Sequence, residues 1–292
     1  MFKFVKRLGQ TVLENSGRFG AKLRILLFLR QCRRDAELTQ RVSKSLGLDM
    51  LNTRSRRVAK SRDVLFILAS GESVNELSSE NLAQIAAGVS IGVNFWPIHA
   101  FVPDILALEP DKSEPSSDFL NALLNSSRLE HSKLRVMMLR SGWPTKKETL
   151  PKLPEHLAEE TKIYGRANVI TKMQANLSTD LERLVLATTE GALPPMILPD
   201  NGSTVVRLTF YGLAQGFRKI VWVGVDQSSG HYFWTQPPIR EEYRSAARAE
   251  PRPVGAPHST SETSDRPFSN DVFLRALAKV IAYASNTEIF LA

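Results

Sequence analysis

The strongest constraint on the fold is a pair of short, unbroken apolar runs, "DVLFILAS" at residues 63–70 and "KIVWVGVD" at residues 219–226. Each has the length of a strand and is rich in branched residues. A strand facing solvent on one side alternates polar and apolar positions, whereas a continuous run belongs in a parallel sheet covered on both faces. "VSIGVNFWP" at 89–97, "DILALEP" at 104–110 and "KLRVMMLR" at 133–140 repeat the pattern. Helical stretches separate them: "SENLAQIAAG", starting near Ser78 or Ser79 and stopping at Gly88, and a segment from about Ser203 to Gln215 that stops at Gly216. "NDVFLRALAKVIAYASN" reads as a helix capped by Asn270, and "TEIFLA" as a last strand. Strands that alternate with helices need crossover connections. The expected class is therefore α/β, a Rossmann-like, doubly wound, mostly parallel sheet.

Two segments stand apart from this pattern. Residues 143–200 hold several prolines, weak strand signals and one helix within "TKMQANLSTDLERLVLATTEG", and read as a helical or irregular lid insertion. Residues 1–62 carry 16 Lys and Arg against 4 Asp and Glu, while residues 63–292 carry 22 against 26. The overall charge of +8 thus belongs to an N-terminal extension, and the body at 63–292 is slightly acidic. A nucleic-acid partner is not expected, because its basic footprint would lie on the folded domain.

The run "ILLFL" at 25–29 is too short to span a bilayer, and basic residues on both of its sides are unlike a signal peptide. "FKFVKRLGQTVL" and "AKLRILLFLRQCRR" have the form of basic amphipathic helices. Such helices lie on an anionic membrane surface or pack on the body or a partner. A single cysteine, Cys32, excludes an internal disulfide framework and a cysteine-rich zinc site. It fits a reducing compartment, so the expected location is cytoplasmic, with peripheral association at the inner face of the membrane through residues 1–62.

Common catalytic signatures are missing: the chain has no phosphate-binding P-loop, no G-x-G-x-x-G after the first run and no H-E-x-x-H. What remains is the turn Ser70-Gly71-Glu72-Ser73, followed by Asn75. Gly71 permits close backbone approach or a positive φ, and the side chains around it supply hydroxyl and amide groups. A helix start behind the turn would aim backbone N–H groups at an anion. Ligands of open α/β sheets bind beyond the carboxyl ends of the strands. Here those ends read Ser70-Gly71, Asn94-Phe95, Glu109-Pro110 and Gly224-Val225-Asp226. Ser70, Gly71, Ser73, Asn94, Glu109 and Asp226 are therefore candidate nucleotide-binding residues, joined by Ser203 and Thr204 at a helix start. No metal site is expected from these residues. Residues 227–269 form a long polar stretch of the kind that is usually functional or disordered. It contains His231 and His258, residues that titrate near neutrality and act as general bases. Tyr232 can donate its hydroxyl to a leaving phosphate, or serve as pocket wall beside Phe233 and Trp234.

These stretches resemble the bacterial sialyltransferases of glycosyltransferase family 42. "SGESVNEL" is similar to the turn that opens their first strand, and "IGVNFWP" to the second strand whose Asn contacts the nucleotide. "NGSTVVRLTFYGLAQGFRKIVWVGVD" resembles their helix–strand unit ending in G-x-D, and "SSGHYFW" a loop whose tyrosines hold the leaving phosphate. The resemblance covers residues 63–110 and 200–292. It implies a CMP-sugar donor, a glycan acceptor, no cofactor, and inverting, metal-independent transfer in surface polysaccharide or lipooligosaccharide synthesis. His258 would be the base, and Tyr232 would stand by the departing phosphate. Glu72 replaces the family's usual proline, and the loop after Asp226 is shorter, keeping only Tyr232 of the expected tyrosines. The same turn and G-x-D strand are also similar to the hydroxymethylpterin pyrophosphokinase-like family. That resemblance implies ATP and magnesium, for which Asp226, Glu109 and Asp111 are the obvious strand-end carboxylates. A third expectation is a non-enzymatic, membrane-associated module that recruits partners through its basic arm.

Overall fold

A computed structural model describes residues 17–54, 63–108, 136–140, 160–169, 174–226, 232–233 and 268–292. The strands among them are β1 (Asp49–Met50), β2 (Val64–Leu68), β3 (Val89–Val93), β4 (Ile105–Leu108), β5 (Val136–Arg140), β6 (Thr161–Asn168), β7 (Ile197–Asp200), β8 (Lys219–Val223) and β9 (Glu288–Leu291). The helices are α1 (Gly17–Leu46), α2 (Ser79–Ala87), α3 (Gln174–Thr189), α4 (Thr204–Gln215) and α5 (Asn270–Ala284). The strands run in the order β1-β6-β5-β4-β3-β2-β8-β9, and β7 pairs with β6. Every pairing is parallel. The α/β, doubly wound expectation holds.

The unbroken apolar runs follow from this architecture, because each sheet face is covered by its own layer. Leu65, Ile67, Ile91, Ile105 and Ile220 pack into one core with Phe28 of α1, Leu181 of α3, Phe210 of α4 and Phe273 of α5. The intervening Leu68, Leu106, Leu108 and Val223 pack into a second core with Ile85 of α2 and Trp96. Burying one such side chain is worth about 1.5–3 kcal/mol, so the two layers together fix which way each strand faces.

Helix boundaries carry local signals. Ser78 caps α2, its hydroxyl accepting from the Asn81 N–H at 3.1 Å while the Asn81 side chain accepts from the Ser78 N–H at 2.9 Å. α4 ends on Gly216, whose φ of 81° lies in the left-handed region. α5 starts one residue earlier than its sequence suggests. Ser269 caps it, accepting from the Val272 N–H, and Asn270 is its buried first residue. "Ser-Asn-Asp" offers three good caps in a row, and packing selects among them.

Thr161–Asn168 and Ile197–Asp200, which the sequence places in an insertion, are sheet strands. Thr161–Tyr164 of β6 pairs with β5, and Gly165–Asn168 pairs with β7, so this stretch extends the sheet. Thr161, Lys162, Arg166 and Asn168 interrupt the apolar run and hide the strand from a periodicity reading. The described part of the basic N-terminal segment is likewise built into the body. β1 adds an edge strand beside β6, and Phe28 and Cys32 of α1 sit in the first core. Arg24 grips Asp180 of α3 with two hydrogen bonds of 2.8 and 3.0 Å, both side chains being buried. The apolar side of α1 is therefore spent on the core. Among the described residues no helix is long and apolar enough to cross a membrane.

Candidate functional site

β2 is where the winding reverses: β3, β4, β5 and β6 lie in sequence to one side, and β8 and β9 to the other. Connections leaving two such strands diverge and open a crevice beyond their carboxyl ends. The stretch "SGES" sits at this point. The β2–β8 ladder continues past both strands, with the Ala69 N–H donating to Val223 O at 2.8 Å and the Gly71 N–H donating to Gly224 O at 2.8 Å.

Gly71 has φ −70° and ψ 163°, a conformation open to any residue, so its need for glycine is one of space. A Cβ at Gly71 would lie 2.5 Å from Asp226 Cγ and 2.6 Å from Gly224 O. Gly224 has φ 68°, and this left-handed residue turns the chain off β8 so that Asp226 returns over the turn.

The turn's donors meet a carboxylate of the protein itself. The Ser73 N–H donates to Asp226 Oδ2 at 2.8 Å, and the Ser73 hydroxyl donates to Asp226 Oδ1 at 2.6 Å. Charge-assisted bonds of this kind are short and strong. Ser73, one of the residues expected at a phosphate, holds Asp226 in place in this structure. A short 3₁₀ turn, Glu72–Glu76, follows in place of a longer helix start.

The segment beyond β8 is pinned here as well. Tyr232 forms an antiparallel bridge with Gly71, the Phe233 N–H donates to Ser70 O at 3.1 Å, and the Asn75 side chain donates to Phe233 O at 3.0 Å. Tyr232 is thus held, half-buried, beside the turn. Phe233 is buried and packs on Trp96 and His99, with ring centroids 5.3 and 5.8 Å apart, so it serves as wall.

Asn94, at the end of β3, has φ 46°, the one positive value at a non-glycine position among the described residues. Its N–H donates to Ala107 O at 2.8 Å. Asparagine tolerates this region better than most residues, and the chain can leave β3 sharply at the same sheet edge.

His99 was not read from the sequence. Its Nδ1 accepts from the Phe101 N–H at 3.0 Å, so in the neutral ring the proton sits on Nε2. The available signal was Pro97, four residues past β3 and inside the short turn Trp96–Ile98 that brings His99 against Phe233.

Ser203 and Thr204 belong to a different cluster. Asp200, fully buried at the end of β7, accepts from Arg166 at 2.8 Å, from Arg207 at 2.5 Å and from the Gly202 N–H at 2.7 Å. Arg207 also donates to Thr204 Oγ1 at 2.9 Å, and Ser203 precedes α4 as its buried cap. The strand order puts β3, β4 and β5 between β2 and β6, which supplies Arg166 and pairs with β7, the strand that ends in Asp200. Ser70, Gly71, Ser73, Asp226 and Tyr232 are therefore brought together, with Asn94 one strand away, while Ser203 and Thr204 are tied to Arg207 and Asp200. Glu109, Asp111, His231 and His258 lie outside the described residues. Among the described residues no group of three or more His, Cys, Asp or Glu is placed to hold a metal ion.

Comparison of the chain with protein-family models, with curated proteins and with solved structures finds no match.

Proposed function

We propose that this chain is a nucleotide-sugar-dependent glycosyltransferase of the inverting, metal-independent type implied by its sialyltransferase-like motifs, with a CMP-sugar as donor and a glycan hydroxyl as acceptor. Surface polysaccharide or lipooligosaccharide synthesis at the inner face of a membrane is the corresponding setting. The observation that supports this best is the convergence of Gly71, Ser73, Asp226 and Tyr232 on the point where the sheet reverses its winding. Open α/β sheets bind nucleotides at that point.

The chemistry of the wall divides the nucleotide. A carboxylate held by Ser73 repels phosphate but accepts from ribose hydroxyls or a base amino group, so Asp226 is assigned the nucleoside end. The Tyr232 hydroxyl donates to the phosphate that departs. His258 takes the acceptor proton as the new C–O bond forms at the sugar and the bond from sugar carbon to phosphate oxygen breaks, with the electron pair leaving on the nucleotide.

Titration calorimetry of the full chain against CMP, UMP, GMP and AMP tests the reading. A cytidine nucleotide should bind with a Kd below about 1 mM, equivalent to roughly −4 kcal/mol, and no binding of any nucleotide at that level defeats the proposal. His258→Ala should abolish transfer and leave nucleotide affinity nearly unchanged. Equal loss of both would remove the residue from the base role.

A further inference from the structure

α1 runs for 30 residues, and its buried side carries Phe28 and Cys32, so the side left to solvent is what any partner would meet. Lys22, Arg30, Arg33, Arg34, Arg41 and Lys44 are all exposed there. At 3.6 residues per turn they fall on one arc of about 120°, spread over about 33 Å of helix. Glu37 is the acidic residue within that arc, and Asp35 lies off it, half-buried. Leu26 falls inside the arc and is 61% exposed, while Leu27 and Leu38, at its margin, are 38% and 55% exposed. The body, residues 63–292, carries 22 basic against 26 acidic residues, so positive charge is concentrated at this end of the chain.

We propose that the solvent face of α1 is a docking surface for an anionic phospholipid bilayer, with the helix lying flat and the basic side chains among the lipid headgroups. This differs from an amphipathic helix that inserts its apolar side, because that side of α1 is built into the core. Charge complementarity selects an anionic surface. The three leucines select a bilayer over nucleic acid, since headgroup-level apolar side chains gain from the acyl boundary and gain nothing from a phosphate backbone. The inference does not rest on the glycosyltransferase reading, and lipid binding and nucleotide binding are separately measurable.

The test is co-sedimentation of the full-length chain with phosphatidylcholine vesicles, with and without about 30% phosphatidylglycerol, at about 0.1 M and 0.5 M salt. Binding should need the anionic lipid and fall at least roughly tenfold at the higher salt. The charge-reversed variant R30E/R33E/R34E/R41E should lose at least roughly tenfold in partitioning. The milder R30Q/R34Q/R41Q should lose severalfold with an unchanged thermal midpoint, which separates lost docking from lost folding. L26S/L27S/L38S should weaken binding while keeping its salt dependence. The proposal is overturned if the glutamine variant binds as wild type does. It is overturned equally if deleting residues 2–16 alone removes binding, or if duplex DNA at matched charge binds the chain more tightly than the vesicles do.

Discussion

Gly71→Ala puts the geometry of the crevice to a quantitative test. The backbone angles at Gly71 suit alanine, so the substitution meets no conformational penalty, and it gains about 0.4–1 kcal/mol from a less flexible unfolded chain. Against this, the new methyl would lie 2.5 Å from Asp226 Cγ and 2.6 Å from Gly224 O, well inside contact distance. Two ways of relieving the overlap are open. The Asp226 carboxylate can swing away, breaking the two bonds from Ser73, each worth about 1.5–3 kcal/mol as bonds to a charged group. Alternatively the β2–β8 seam can spread, losing the Gly71–Gly224 bond at about 1 kcal/mol plus overpacking strain of about 1–3 kcal/mol. Asp226 is half-buried, so the lower ends apply, about 3 kcal/mol for the first route and about 2 for the second; less the gain of about 0.4–1 kcal/mol, the net expectation is a destabilisation of about 1–2.5 kcal/mol. Urea unfolding should show a lower midpoint with an unchanged slope. Ser73→Ala, which keeps the backbone N–H bond to Asp226, should cost about half as much. A Gly71→Ala protein within about 0.5 kcal/mol of wild type, the range of an inconsequential surface change, refutes the packing argument.

Other expectations follow from the packing of α1. Arg24→Met leaves the buried Asp180 charge without its two hydrogen bonds and should cost about 3–5 kcal/mol, read as a lower thermal midpoint. The double variant Arg24→Met/Asp180→Leu should recover most of that loss, and a double variant as unstable as the single would contradict the ion-pair account. Burial, with Asp35 nearby, pushes the Cys32 thiol from its ordinary 9.0 up to about 12. Native protein at pH 8 should therefore resist a thiol reagent that labels the urea-unfolded chain at once. Between pH 9 and 12 the unfolded chain loses a proton that the folded chain keeps, so stability should fall as pH rises through that window. Burial of Tyr211 pushes its phenol the same way and steepens the fall.

The parts of the fold that were legible in the sequence are those where burial on both faces leaves an unbroken signal. β2, β3, β4 and β8 announce themselves because each consecutive residue has a core to enter, and α2 and α4 because Gly88 and Gly216 end them. β6 did not, since Lys162 and Arg166 point to an exposed edge partner and to buried Asp200 respectively, and their charges break the run. The sequence of α1 reads as a basic amphipathic helix for a membrane surface, the body or a partner, and its apolar side packs on the body. Its role in the core depends on Arg24 meeting Asp180, two residues 156 positions apart.

At the site, Ser70, Gly71 and Asp226 could be placed together from the rule of strand ends. That Ser73 would spend its donors on Asp226 could not, because the contact depends on Gly224 turning left-handed at the end of a strand. His99 was missed because its relevance comes from ring contacts with Phe233, which no spacing encodes.

The site of nucleotide binding is the most direct test. A crystal structure of the full chain soaked with a cytidine nucleotide should show the nucleoside against Asp226 and Ser73, beyond the carboxyl ends of β2 and β8, with the phosphate toward Tyr232. Nucleotide density elsewhere would contradict the central claim, most plainly in the cavity of about 370 Å³ beside Thr53, Arg54 and Gly191.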